Sequence, residues 1–271
     1  MPTRTHYDFV LGGGILADFA NTWRRSLNIK VPLGKGLPLL ESTFIERPNQ
    51  FTIIAEYNGK KITGAMADRG RLLEVLVPGR TLLMEHRDEK TRKTPYQILA
   101  ARGDDGALIS LDTHLPNKLV KLALSEYAFG ELPPYTSFRA EKKIGSSRFD
   151  FMLELADGGR LLMEVKSVGR LGADKIARFP DAPTARGARH VKELVELMQE
   201  ERETQSALLF LVQGDDATHV EIDKTIDPHL HETLLEAQAA GLHIFARLCH
   251  LDETGLSWGV PTNVLLSPDN T

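Results

Sequence analysis

Three ionisable residues, Asp150, Glu164 and Lys166, lie in two short segments that read as the arms of one hairpin. The first arm is Arg148-Phe149-Asp150-Phe151-Met152-Leu153-Glu154-Leu155. The second is Arg160-Leu161-Leu162-Met163-Glu164-Val165-Lys166, and Asp157-Gly158-Gly159 turns the chain between them. Strand side chains alternate faces with period two. The odd positions Phe149, Phe151, Leu153, Leu155, Leu161, Met163 and Val165 are all apolar and predict one fully buried face. The even positions put Asp150, Glu164 and Lys166 together on the other. With residues 157–159 as the loop, the expected register sets Asp150 opposite Lys166 and Met152 opposite Glu164.

That grouping suits phosphodiester hydrolysis. Two carboxylates on adjacent strands can hold Mg²⁺ or Mn²⁺, with the Val165 carbonyl as a further oxygen ligand. The ion polarises the phosphodiester and acidifies a bound water. Lys166 could position that water, donate to the phosphate, or act as base. The same three residues also read as an ordinary cross-strand charge pair on an exposed face, and spacing alone leaves both readings open. Glu126 and Glu141 are candidates for one more acid at this site.

A rigid loop, Phe179-Pro180-Asp181-Ala182-Pro183, follows, and Thr184 is a fair N-cap. Val191, Leu194, Val195 and Met198 repeat at i, i+3, i+4, i+7 and predict an amphipathic helix. Arg186 and Arg189 fall in its first turns, where cations oppose the helix dipole. Beside free backbone N–H groups they suit a phosphate site. Arg148 on the hairpin is a further phosphate-contact candidate.

The segments before the hairpin predict a small β-module. Phe51–Tyr57 is rich in β-branched and aromatic residues, Asn58-Gly59 is a hairpin turn, and Lys61–Met66 returns. Thr81–Met84, Tyr96–Ala100 and Ala107–Ser110 supply three more strands, and five short strands suggest a small barrel. Its basic loops, Asp68-Arg69-Gly70-Arg71 and Arg87 to Lys93, offer Arg69, Arg71 and Lys93 as phosphate contacts. Leu119–Leu124 looks helical, with Pro133-Pro134 expected to end that element.

Composition excludes several classes. The chain has 271 residues, 42% hydrophobic and 26% charged, the balance of a folded globular protein. It has no apolar run of membrane-spanning length. One cysteine, Cys249, excludes a disulfide framework and points to a reducing, cytoplasmic setting. The net charge of -4 is uneven: residues 1–192 carry 30 basic and 22 acidic side chains, and residues 193–271 carry 3 and 15. A basic body is compatible with a polyanionic partner. The first forty residues read as a loosely attached extension, and Gly12-Gly13-Gly14 lacks the spacing of a dinucleotide loop. Ala207–Val212 reads as a buried central strand, Asp227 as the cap of a helix that Gly241 ends, and His243–Cys249 as a strand. His229 and His231 stand at i, i+2 and do not face each other on a helix.

Arg92-Lys93-Thr94-Pro95-Tyr96, Leu115-Pro116-Asn117, Ser147-Arg148-Phe149-Asp150-Phe151, Glu164-Val165-Lys166-Ser167-Val168, and Phe179-Pro180-Asp181-Ala182 through Thr184, Arg186-Gly187 and His190 together resemble the sugar fermentation stimulation protein A family, in family order. The resemblance spans roughly residues 43–266. It implies an OB-fold-like barrel, here over 42–110, and a restriction-endonuclease-like domain of the PD-(D/E)xK type, here over 111–271, with a mixed sheet flanked by helices; the extension over 1–41 exceeds what the family usually carries. It further implies a DNA-binding protein with a predicted metal-dependent nuclease site, with Asp150 and Glu164 as metal ligands and Lys166 as the catalytic lysine. DNA is the expected partner, with RNA also open. A non-catalytic DNA-binding regulator of sugar (maltose) metabolism genes is the alternative. A carbohydrate-processing enzyme, which the family name suggests, finds no suitably placed carboxylate pair. A second departure is that the family's Cys-Pro-Asn-Thr-Gly loop is Met66-Ala67-Asp68-Arg69-Gly70 here.

Overall fold

The computed structural model describes residues 29–87, 94–145, 147–169 and 174–266. Gly12–Gly14, Trp23, Lys90, Arg92 and Lys93 lie outside them. The elements run β1 (Lys30–Val31), β2 (Leu39–Asn49), β3 (Thr52–Tyr57), β4 (Lys60–Met66), β5 (Thr81–His86), β6 (Tyr96–Arg102), β7 (Leu108–Ser110), α1 (Leu115–Ser125), β8 (Tyr135–Ile144), β9 (Ser147–Leu155) and β10 (Arg160–Val168). There follow β11 (Ile176–Phe179), α2 (Ala185–Glu200), β12 (Thr204–Val212), β13 (His219–Ile222), α3 (Pro228–Ala239), β14 (His243–Asp252), β15 (Gly255–Thr262) and β16 (Val264–Leu265). Among the described residues, no helix is long and apolar enough to cross a membrane.

The N-terminal module is a five-stranded barrel of OB type. Its strands lie in the order β4-β3-β2-β5-β6, and parallel pairing of β4 with β6 closes the ring. Asn58 and Gly59 both take positive φ, 50° and 72°, as the β3–β4 turn requires. Phe44, Ile53, Ala55, Met66, Leu82, Met84 and Ile98 fill its interior. One expected strand is corrected: the ring uses β2, and β7 only extends its edge beside β6. The sequence of β2 carries Glu41, Glu46, Arg47 and Pro48, so it lacks a clean apolar alternation.

The C-terminal domain is built on a seven-stranded mixed sheet, order β1-β15-β14-β12-β10-β9-β8, with β12 parallel to both its neighbours. Ala207 to Val212 of β12 are all at most 1% exposed, as expected for a central strand. Both faces of the sheet are covered. Leu115, Leu119 and Leu124 of α1 and Leu83 and Leu99 of the barrel pack with Phe151, Leu153, Leu161 and Met163. Val191 and Leu194 of α2 and Leu230 and Leu234 of α3 pack with Met152, Leu162, Leu208 and Phe210. The expectation of one buried face is therefore corrected, and Phe149 joins the α2 side despite its odd number.

Three further expectations change. The helix before the hairpin stops at Ser125, where Tyr127 turns to a φ of 53°, well ahead of Pro133-Pro134. The end of the supposed loose extension is docked: β1 pairs with β15, and Ile29, Val31 and Leu33 are buried in the core. The β9–β10 register is shifted by two residues, with Leu162 opposite Met152 and Met163 opposite Phe151. The loop keeps three residues but is 156–158 instead of 157–159, because Gly159 already pairs with Leu155 and accepts from its N–H.

Two helix starts are tied together. Thr184 Oγ1 accepts from the Gly187 N–H, capping α2, and Asp227 Oδ1 accepts from the Leu230 N–H, capping α3. The other oxygen of the buried Asp227 accepts from the Thr184 N–H at 2.7 Å, so one carboxylate holds the starts of α2 and α3 together.

Candidate metal-dependent active site

The β9–β10 ladder runs only as far as Phe151 and Met163. At the next step the strands part, and Asp150 occupies the gap. Its Oδ2 accepts from the Val165 N–H at 2.8 Å, taking the place of a ladder bond. Its Oδ1 accepts from Asn117 Nδ2 at 2.7 Å, a contact reaching in from α1. Because a strand residue aims its N–H and C=O at the same neighbour, the Val165 carbonyl projects toward the same gap.

Glu164, 6% exposed, is held from the other side of the sheet. Its Oε1 accepts from Lys166 Nζ at 2.8 Å and from His190 Nδ1 at 2.8 Å. Facing an acceptor-only carboxylate, His190 carries a proton on that nitrogen. Glu164 Oε2 is buried with no hydrogen-bond partner. An orphaned carboxylate oxygen in a protein interior is costly unless a cation completes it.

The electrostatics point the same way. Burial raises the Asp150 carboxyl to about 6, and the Glu164 charge adds to the rise, against the Val165 N–H, Asn117 and Lys166. Burial also works against the Glu164 charge, but Lys166 and His190 outweigh it and hold that carboxyl below its ordinary value. Two carboxylates thus feel each other in a largely buried site with one oxygen unsatisfied. These donors are hard oxygens, which fit Mg²⁺, Mn²⁺ or Ca²⁺ and not a soft metal. Among the described residues no group of three or more His, Cys, Asp or Glu forms a ready-made cage. The fitting set is the carboxylate pair with a main-chain oxygen.

Asn117 and His190 are the residues that spacing did not assign. Both stood inside motifs quoted for the family resemblance, but only the tertiary fold shows that they grip the two carboxylates. The further acids do not join the site. Glu126 is exposed at the end of α1, and Glu141 is exposed and paired with Arg148 at 3.3 Å.

The candidate phosphate contacts divide into two groups. Arg186 and Arg189 are exposed on the first turns of α2, and Arg186 stands one turn before His190. Arg189 pairs with Glu193 at 3.6 Å. Arg148 is exposed two residues before Asp150. Arg69 and Arg71 are exposed on the barrel loop after β4, and Lys93 lies outside the described residues. Of the two histidines near Asp227, His231 meets the Leu266 carbonyl and His229 is exposed. Cys249 is fully buried, with its thiol pushed up to about 12 by burial.

Comparison with known proteins agrees with this architecture. Residues 114–255 match the family model described as the sugar fermentation stimulation protein RE domain, and residues 45–111 match the SfsA N-terminal OB domain. A sugar fermentation stimulation protein homolog of Chloroflexus aurantiacus is 41% identical over 240 residues, covering 88% of this chain and 90% of that one. The homolog from Moorella thermoacetica is 40% identical over 232 residues, covering 84% and 97%. The solved structure of Pyrococcus furiosus SfsA in complex with Ca²⁺ superposes with a TM-score of 0.75 at 27% identity, covering 87% of this chain and 99% of that one.

Proposed function

The chain belongs to the sugar fermentation stimulation protein family, and from that premise we propose that it is a divalent-metal-dependent nuclease that hydrolyses phosphodiester bonds in DNA. The observation that carries the reading is the buried, unpartnered Glu164 Oε2 on a carboxylate whose charge, together with burial, raises the Asp150 carboxyl. The Pyrococcus furiosus relative was solved in complex with Ca²⁺, which supports a divalent cation in this fold.

Asp150, Glu164 and the Val165 carbonyl would hold Mg²⁺ or Mn²⁺. A bound cation of this kind polarises the phosphodiester and lowers the pKa of a coordinated water. Lys166 is placed by Glu164, and its ammonium is a compact donor for the charge that builds on the phosphate oxygens. Asn117 and His190 hold the two carboxylates in place. The exposed Arg148, Arg186 and Arg189 would neutralise flanking phosphates.

The test is to incubate the purified chain with labelled DNA and RNA in Mg²⁺, Mn²⁺ or EDTA. Cleavage of DNA in either metal and none in EDTA is the expected result. Salt-sensitive binding with no cleavage in any metal would replace this reading with a DNA-binding regulator.

A further inference from the structure

The barrel carries an aromatic residue that its core does not use. Phe51 sits in the two-residue loop joining β2 to β3, and it is 46% exposed. Its backbone is nevertheless fixed on both sides. The Phe51 N–H donates to Asn49 Oδ1 at 2.9 Å, and its carbonyl accepts from the Met66 N–H at 3.0 Å. The Arg69 guanidinium lies over the ring, 4.9 Å from its centroid.

Arg47 explains why these two residues meet. Its Nη2 donates to the Gln50 and Asp68 carbonyls, both at 2.9 Å, and its Nη1 donates to the Gly70 carbonyl. One guanidinium thereby staples the β2–β3 loop to the loop after β4. Asp68 Oδ1 accepts from the Gly70 N–H at 2.7 Å and tightens the second loop further. The chain spends several hydrogen bonds on presenting Phe51, Arg69 and the exposed Arg71 on one rigid surface.

Barrels of this type hold oligonucleotides across their second and third strands and on the loop between the first and second, which is where Phe51 stands. An exposed ring flanked by arginines stacks unpaired bases, whose faces are available, whereas a duplex presents only base edges. We infer that the Phe51–Arg69 surface is a base-stacking site for single-stranded nucleic acid, with Arg71 on the adjoining phosphate. The inference rests on the nucleic-acid reading above and narrows it: the preferred partner has an unpaired segment seated on the barrel.

Binding of a fluorescein-labelled 15-nucleotide thymidine strand and of a 15-base-pair duplex, by anisotropy in EDTA, tests this without cleavage. Phe51→Ala should weaken single-strand binding about tenfold with duplex binding unchanged, and Phe51→Trp should retain it. Arg71→Gln should lower the single-strand salt slope by about 0.7. Equal weakening of strand and duplex by a Phe51→Ala protein of unchanged melting temperature would overturn the inference. So would no effect at all, no binding by the parent chain, or a change only in its oligomeric state. Loss of stacking evidence alongside intact Mg²⁺-dependent cleavage sinks only this inference. Intact stacking without cleavage in any metal sinks only the nuclease.

Discussion

Lys166→Ala is expected to lower metal-dependent cleavage by about 10²–10⁴-fold while DNA affinity stays within about threefold. The side chain emerges from β10 two residues after Glu164, on the same face; it is 18% exposed, and its ammonium makes a charged contact of 2.8 Å. It is therefore reachable from outside yet rigidly aimed. A group that stabilises charge only as it develops contributes to kcat and little to KM. Lys166→Arg should not restore the rate, because the planar guanidinium cannot occupy the place of a compact ammonium. If Lys166 were only half of a structural ion pair, the substitution would cost stability and leave kcat per folded molecule unchanged. Single-turnover cleavage rates with melting curves on the same samples distinguish the two.

Asp150→Asn should abolish cleavage and, in EDTA at pH 7.5, make the protein more stable than the parent. Asp150 is raised to about 6 in the fold, above the ordinary carboxylate value of 3.8. Between those two pH values the folded state keeps a proton that the unfolded state has lost. Stability is thus fully present at acid pH and falls as the pH rises toward 6, by on the order of 2–3 kcal/mol. Asparagine removes the charge and keeps an oxygen for the Val165 N–H, and Asn117 can turn its amide to suit. The urea midpoints of parent and variant should converge only below pH 3.8 and separate by pH 7.5. Adding Mn²⁺ at pH 7.5 should reverse the order, because only the parent gains a ligand for its charge. A variant less stable than the parent in EDTA at pH 7.5 would contradict this account of the acidic pair. The opposite signs are what a site strained for function produces.

Asp150 and Glu164 were legible as candidates by residue type and by their place on neighbouring strands, but their arrangement was not: the ladder stops at Phe151 and Met163, Asp150 is gripped by Asn117 of α1, and Glu164 meets His190 of α2. Thr184 and Asp227 were readable as caps because a cap is a local device. What connects distant segments was not readable. The reach of Asn117 to Asp150 spans 33 positions and that of His190 to Glu164 spans 26, and neither leaves a periodic trace. Strand β2 was hidden by its own charges. The fully buried Glu85 in β5 was overlooked as well; its Oε1 accepts from the Lys35 and Leu37 N–H groups, and its Oε2 pairs with Arg87. Its charge looks like an edge residue until the loop that folds over it is known.

The central claim is that Asp150 and Glu164 share one divalent cation, and the anomalous scattering of a crystal soaked in Mn²⁺ tests it most directly. One peak is predicted between Asp150 and Glu164 Oε2, near the Val165 carbonyl, and absent in Glu164→Gln. A fully soaked crystal with no peak there, from protein that still cleaves DNA in Mn²⁺, would contradict it.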